Sequence, residues 1–301
     1  MGATKYNGIK AISIGTANVG GVYYVVGAGM GELFQKKLGI SVTTEVTAGS
    51  LYNAKMLHAK KMDIAIMTAE VADAAIRGKE QFDKPQDIKA ITTLHPGMLH
   101  IVALVSSNIK TFQDLKGKKV SVGPPGSGAN KTNELIMGAL GYSFKDRSFL
   151  IPQFLSMEET TEALKNGSVD ATLVATGVPA GWIMELETTH PVRVISLNAA
   201  EVKKITDKVP FYKPYYIKTG VYKSLKEDCT TVASWNLLAV RSDLPDDLVY
   251  DLTRTFFEDI KTIQAVHSAA EVYSPDNVKF VNIDIHPGAL KYYKEKRVAL
   301  P

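Results

Sequence analysis

Short β-branched and apolar runs alternate along the chain with longer stretches whose apolar positions recur every three or four residues. This is the pattern of an α/β protein with largely parallel sheets. AISIGTA (residues 11–17) reads as a strand running into a turn. YYVVGAGMGELFQKKLG (23–39) reads as a helix that stops at Gly39, the usual C-terminal punctuation. ISVTTEVTAG (40–49) is a second strand and SLYNAKMLHAKK (50–61) a helix for which Ser50 is a natural N-cap. MDIAIMTAE (62–70) is a third, buried strand leading into a helix through Arg77.

Two apolar runs follow, IKAITTL (88–94) and HIVALVSS (100–107). TFQDLKGKKVSVGPPGSGANKT (111–132) then starts a fresh strand, glycine loop and helix. The second unit continues through the helix SMEETTEALKNG, the strand SVDATLVAT, a helix from Pro179 towards Thr189 and the strand VRVISL. TVASWNLLAV (231–240) predicts one more strand, DLVYDLTRTFFEDIKTIQAV (247–266) one long helix, and a tail carries HPGALKYYKEK. The order implies one domain assembled from both ends of the chain and another inserted in the middle.

Composition narrows the class. Of 301 residues, 45% are apolar and 22% charged, which suits a globular chain long enough for two cores. Cys229 is the only cysteine, so an intrachain disulfide and a multi-cysteine metal site are both excluded. The 35 Lys and Arg against 31 Asp and Glu give +4, without a basic stripe suited to nucleic acid. No apolar run has the length of a membrane span, and the first residues lack a secretory apolar stretch. Either a cytoplasmic protein or a mature form with its leader removed fits that start.

Nucleotide motifs fail on spacing. In GPPGSGANKT (123–132), Ala129 and Asn130 stand between the glycine and Lys131, where a phosphate loop needs lysine directly. GAGMG (27–31) lies inside a helical run rather than after a strand, so close helix packing explains it better than a dinucleotide site. GTANVGG, TAGSLYN and PPGSGAN do share one property: each falls where a strand ends and a helix begins. Unpartnered N–H groups and the positive helix dipole there can hold a carboxylate or phosphate. Ser50, Asn53, Ser127 and Asn130 would add polar contacts, or serve simply as caps and turn residues. Glu70 could meet an ammonium group or be a first-turn helix carboxylate; Tyr23 and Tyr24 could touch a ligand or pack the helix.

Catalytic groupings are scarce. The six histidines show no metal-ligand spacing, and Pro125 occupies the place where a nucleophile elbow at Ser127 would need glycine. The expectation is therefore a binder with no catalytic residue, no metal and no cofactor.

The ordered segments GTANVGGVYYVVG, TAGSLYNAKML, MDIAIMTAEVADAAIRG, LVSSNIKTFQDLKGKKVSVGPPGSGAN, LKNGSVDATLVATGVPA and HPGALKYYKEK resemble the TAXI family, the solute-binding subunits of one class of TRAP transporters. The resemblance runs from about Ile12 to Lys296. It implies a two-lobe periplasmic-binding-protein-like α/β fold with a ligand cleft and two hinge strands. Lobe I would be 1–105 with 231–301, and lobe II 106–230. Its implied function is capture of a small carboxylate or amino acid, such as glutamate, glutamine, a dicarboxylate or a 2-oxo acid, by lobe closure. Its implied partners are integral membrane TRAP subunits, the place the periplasm after loss of a signal peptide, and the state a monomer. The implied ligand shell is Thr16, Asn18, Gly20, Gly21 and Tyr23; Ser50 and Asn53; Ser127, Gly128 and Asn130; and Thr176, Gly177 and Pro179. Glu70 stands where relatives often carry a neutral residue, which would favour an amino acid. The alternatives are a two-domain α/β enzyme acting on a small organic acid, and a ligand-sensing domain.

Overall fold

The computed structural model describes residues 5–301 except Gly20 and Gly126. The chain opens as β1 (Ala11–Gly15), α1 (Val22–Leu38), β2 (Ser41–Glu45), α2 (Ser50–His58), β3 (Ile64–Thr68) and α3 (Ala69–Arg77). After β4 (Ile88–Leu104) come β5 (Lys119–Ser121), α4 (Gly128–Leu140), β6 (Ile151–Gln153), α5 (Met157–Lys165), β7 (Ala171–Thr176) and α6 (Gly181–Thr189). β8 (Val192–Val194), α7 (Ala199–Lys208), β9 (Lys213–Ile217), β10 (Cys229–Arg241), α8 (Asp246–Glu258), α9 (Ile260–Gln264) and α10 (Pro287–Glu295) complete it.

Three local expectations change. The two apolar runs after residue 87 form one strand, β4, which continues through Pro96 and Gly97. The long helix is broken at Asp259, whose φ of −109° and ψ of 26° lie off the helical values, so that α9 begins afresh. The N-cap of α2 is Gly49 rather than Ser50. Its φ of +94° is a region that glycine enters without a Cβ clash, and Ser50 becomes the first helical residue.

The chain divides into two compact units: one runs up to His95 and resumes at Trp235–Pro301, the other is Pro96–Ser234. Val105, where the resemblance ends the first segment of lobe I, and Thr230, where it ends lobe II, both fall inside the second unit by this division.

In the first unit β1 lies between β2 and β3, all parallel, and the later half of β10 runs antiparallel to β3, with Asn236 opposite Thr68. Ile14, Met30, Phe34, Leu57, Ile66, Leu238, Leu252 and Phe256 form a core closed to solvent. Gly27 is buried where an added Cβ would strike the Thr16 side chain, and a Cβ added at Gly31 would come within 2.8 Å of Thr44 Oγ1. The glycines of GAGMG thus bring α1 down onto the sheet. The terminal HPGALKYY block docks α10: His286 Nδ1 accepts the Gly288 N–H, Pro287 starts the helix, and Tyr293 Oη donates to Ile91 O at 3.0 Å. Gly288 sits against the backbone of Asp246 and Tyr250, leaving no space for a side chain.

The second unit repeats the order: β5 lies between β6 and β7, all parallel, and the later part of β4 is antiparallel to β7. β8 adds to β4, and β9 to the first half of β10. One core gathers Phe112, Val120, Ile136, Leu173 and Ile205; a second packs α6 through Ile183 and Leu186 against Val102 and Val194. Among the described residues no helix is long and apolar enough to cross a membrane.

Candidate functional site

The parallel strands of each unit end on one edge, and the loops that follow carry nearly all the candidate residues. In the first unit the carboxyl ends of β1, β2 and β3 are stitched together by side chains. Thr16, fully buried, donates from Oγ1 to Glu45 O at 2.7 Å. Its own carbonyl accepts from Thr47 Oγ1 at 2.9 Å and from Asn53 Nδ2 at 2.8 Å. Asn53 donates again from Nδ2 to Ile66 O at 2.8 Å, and its buried Oδ1 has no hydrogen-bond partner among the described residues. Thr16 and Asn53 therefore serve the protein's own strand ends first, because a buried carbonyl without a donor is expensive.

Ser50 Oγ accepts the Thr68 N–H at 3.2 Å. Tyr23 Oη donates to Asn236 Oδ1 at 2.5 Å, while its ring meets His95 edge-on at 5.9 Å. Burial first, and the nearby negative charge of Glu70 second, hold the Tyr23 phenol far above its ordinary pKa, so it stays protonated. Glu70 is buried in the first turn of α3, which meets the helix-dipole reading, and it lies beside Tyr23. Asn18 and Gly21 are exposed, joined by Gly21 N–H to Asn18 O at 3.2 Å, and Val19 between them is 68% exposed. Gly20 lies outside the described residues.

In the second unit Ser127 caps α4 by accepting the Asn130 N–H at 3.1 Å, and Gly128 is the first, buried residue of the helix. Asn130 is buried and donates to Val122 O at 3.3 Å. Asn133, which the sequence reading did not single out, repeats the Asn53 arrangement. Its Nδ2 donates to Val122 O at 3.1 Å and Leu173 O at 2.8 Å, and its Oδ1 is left buried. Thr176 ends β7 opposite Met98; buried Gly177 and half-buried Pro179 follow, with a cis bond between Val178 and Pro179. The segment is held by Ala180 N–H donating to Tyr222 Oη at 2.8 Å. Tyr222 in turn meets His100 Nε2 at 3.0 Å, and His100 Nδ1 lies 2.8 Å from Met98 O. Burial lowers the His100 pKa to about 4, so the ring is neutral and donates through Nδ1 to the carbonyl.

The helix starts differ in how they are closed. α5 and α7 are sealed by complete capping boxes, Ser156 with Glu159 and Asn198 with Glu201. α1, α2 and α6 begin at Gly21, Gly49 and Ala180, none of which offers a capping side chain, and none has an acidic first turn. α8 also lacks a side-chain cap but carries Asp246 and Asp247 at its start. These three unsealed, uncharged starts lie next to candidate residues, where backbone N–H groups can grip an anion.

Sequence reasoning missed Asn133, Asn236, His95, His100 and Tyr222. The available signal was a polar group inside an apolar strand run, as Asn236 is in TVASWNLLAV, since a buried polar group must find a partner. No group of three His, Cys, Asp or Glu side chains among the described residues could hold a metal ion. A groove of about 650 Å³ on the second unit, lined by Met184, Glu187, Thr219, Tyr222, Lys223 and Lys226 among others, contains none of the candidate residues.

Known structures share this architecture. The binding component of a phosphonate ABC transporter from Pseudomonas aeruginosa aligns with a TM-score of 0.56 at 16% identity, over 86% of this chain and 78% of that one. The alkanesulfonate-binding protein of Xanthomonas axonopodis pv. citri, solved with MOPS, aligns at 0.52 and 15% identity over 97% and 94%. An ancestral arginine-binding protein solved with arginine aligns at 0.51 and 17% identity over 87% and 98%. The fold is thus the α/β fold of two-lobed periplasmic binding proteins. At sequence level the family model described as the NMT1-like family matches residues 14–296, from the end of β1 to just past α10, and the chain belongs to that family.

Proposed function

We propose that this chain is an extracytoplasmic solute-binding protein. It captures a small carboxylate at the strand-end loops and delivers it to integral membrane subunits. The observation that carries the reading is the set of unsealed helix starts at Gly21, Gly49 and Ala180, beside braced strand ends, in a fold shared with binding proteins. An oxyanion held by such N–H groups needs no basic side chain. The motif resemblance to TAXI subunits supports the finer reading: a TRAP-type transporter and a glutamate-like amino acid, dicarboxylate or 2-oxo acid as solute. Proteins of this fold solved with sulfonate and amino-acid ligands make those compounds the natural competitors to test.

The test is a melting-temperature screen of unfolded, dialysed and refolded protein against L-glutamate, L-glutamine, 2-oxoglutarate, succinate, methylphosphonate, MOPS and L-arginine. A ligand that binds only the folded state raises the transition. Saturable stabilisation by a carboxylate recovered chemically unchanged is the expected result. A response confined to phosphonate, sulfonate or arginine would contradict the carboxylate assignment, and conversion of the compound would contradict the binding-protein reading.

Glu70 supplies a second test. If its carboxylate receives a ligand ammonium group, Glu70→Gln weakens L-glutamate by about tenfold or more and leaves 2-oxoglutarate, which lacks the amine, unchanged. Equal effects on both would remove that role.

A further inference from the structure

We infer that Tyr23 is a positioning residue: it joins the first turn of α1, which follows the β1 loop, to the two points where the chain leaves and re-enters its first unit, through two successive hydrogen bonds. Tyr23 Oη gives its proton to Asn236 Oδ1 at 2.5 Å. Asn236 Nδ2 donates to His95 O at 2.8 Å. One phenol and one amide thus connect the first turn of α1, β10 and β4. Each is used in one direction only.

The far end is braced rather than loose. His95 is the last residue of the first segment of this unit and Trp235 the first of the returning segment, so Asn236 sits one residue inside the return. His95 is buried and its Nδ1 lies 2.9 Å from Tyr273 Oη, with the two rings stacked at 19°. Asn236, His95 and Tyr273 are each less than 5% exposed, so water is a poor substitute for a lost link. Movement of the first turn of α1 therefore reaches β4 and β10 through Tyr23, and only this consequence for solute binding rests on the proposed function.

The test is amide hydrogen exchange on the solute-free protein, read in peptides covering residues 88–98 and 229–241. Tyr23→Phe keeps the ring and removes the proton given to Asn236. Asn236→Asp keeps an oxygen for Tyr23 and removes the donor to His95. Both variants are expected to speed exchange in these peptides about fivefold to tenfold, the scale of one lost buried hydrogen bond. Asn236→Asp is expected to leave residues 21–38 at the wild-type rate. A Tyr23→Phe effect confined to residues 21–38, or an Asn236→Asp variant with wild-type exchange at 88–98, would overturn the inference. Should Tyr23→Phe not fold, Asn236→Asp decides alone. A protein that binds neither L-glutamate nor 2-oxoglutarate, yet shows these exchange changes, would contradict the proposed solute and leave the positioning role standing.

Discussion

At the residue scale the most informative side chains are the paired asparagines. Asn53 and Asn133 each use one amide nitrogen to hold two carbonyls at neighbouring strand ends, Thr16 and Ile66 in one unit, Val122 and Leu173 in the other. Alanine at either position leaves two buried acceptors unserved, and about 2 to 4 kcal/mol of stability is expected to go, measured by urea unfolding. Loss of under about 0.5 kcal/mol would mean that water replaces the amide. Asn53 was legible in the sequence as a polar residue at a strand–helix junction. Its inward role was not, because that depends on which carbonyls the fold brings within reach.

His95 and His100 give a pH signature at the same scale. Burial lowers His95 from 6.5 to about 3, with His267 adding to the effect, and lowers His100 from 6.5 to about 4. Between these values and 6.5 the unfolded chain binds protons that the folded chain does not. Their contribution is therefore intact above about pH 6.5 and is lost as the pH falls, levelling off below the folded pKa values. Each ring contributes a slope of up to about 1.4 kcal/mol per pH unit. Stability measured from pH 7 to pH 4.5 should fall less steeply in His95→Gln and His100→Gln than in the wild type. Parallel curves would show that other groups set the acid limb.

At the element scale, most helices and the longer strands were legible because periodicity and caps agree locally. Gly39 ends α1 in the left-handed conformation, and Ser127 caps α4. The differences arise where tertiary pairing decides. β4 stays extended through Pro96 because its later residues, from Met98 on, are held by β7, and no local rule announces this. The three-residue strand β6 is too short to show a period, yet β5 pairs it in parallel register. The HPGALKYY block was legible as a motif but not as a joint, which requires knowing that α10 meets the start of α8. Gly288→Ala would push a methyl group into the backbone of Asp246 and Tyr250, so a loss of about 2 kcal/mol or more is expected in thermal or urea unfolding. A wild-type midpoint would show that α10 can shift without penalty.

At the scale of the whole molecule, the two units carry the same strand order, three parallel strands with the first in the middle and a long antiparallel strand beside the third. Each therefore presents βα loops on the edge where open α/β sheets bind ligands. The alternation of elements was legible from strand–helix order alone. Fold does not select the solute, so the chemistry at the loops must be read directly. The most direct test is hydrogen exchange of the refolded protein with and without saturating L-glutamate, repeated with 2-oxoglutarate. The account predicts slower exchange in peptides spanning residues 16–24, 49–53, 123–130 and 176–180 with at least one of these probes. Protection confined to the groove around Met184 and Tyr222, or no protection with either probe, would contradict it.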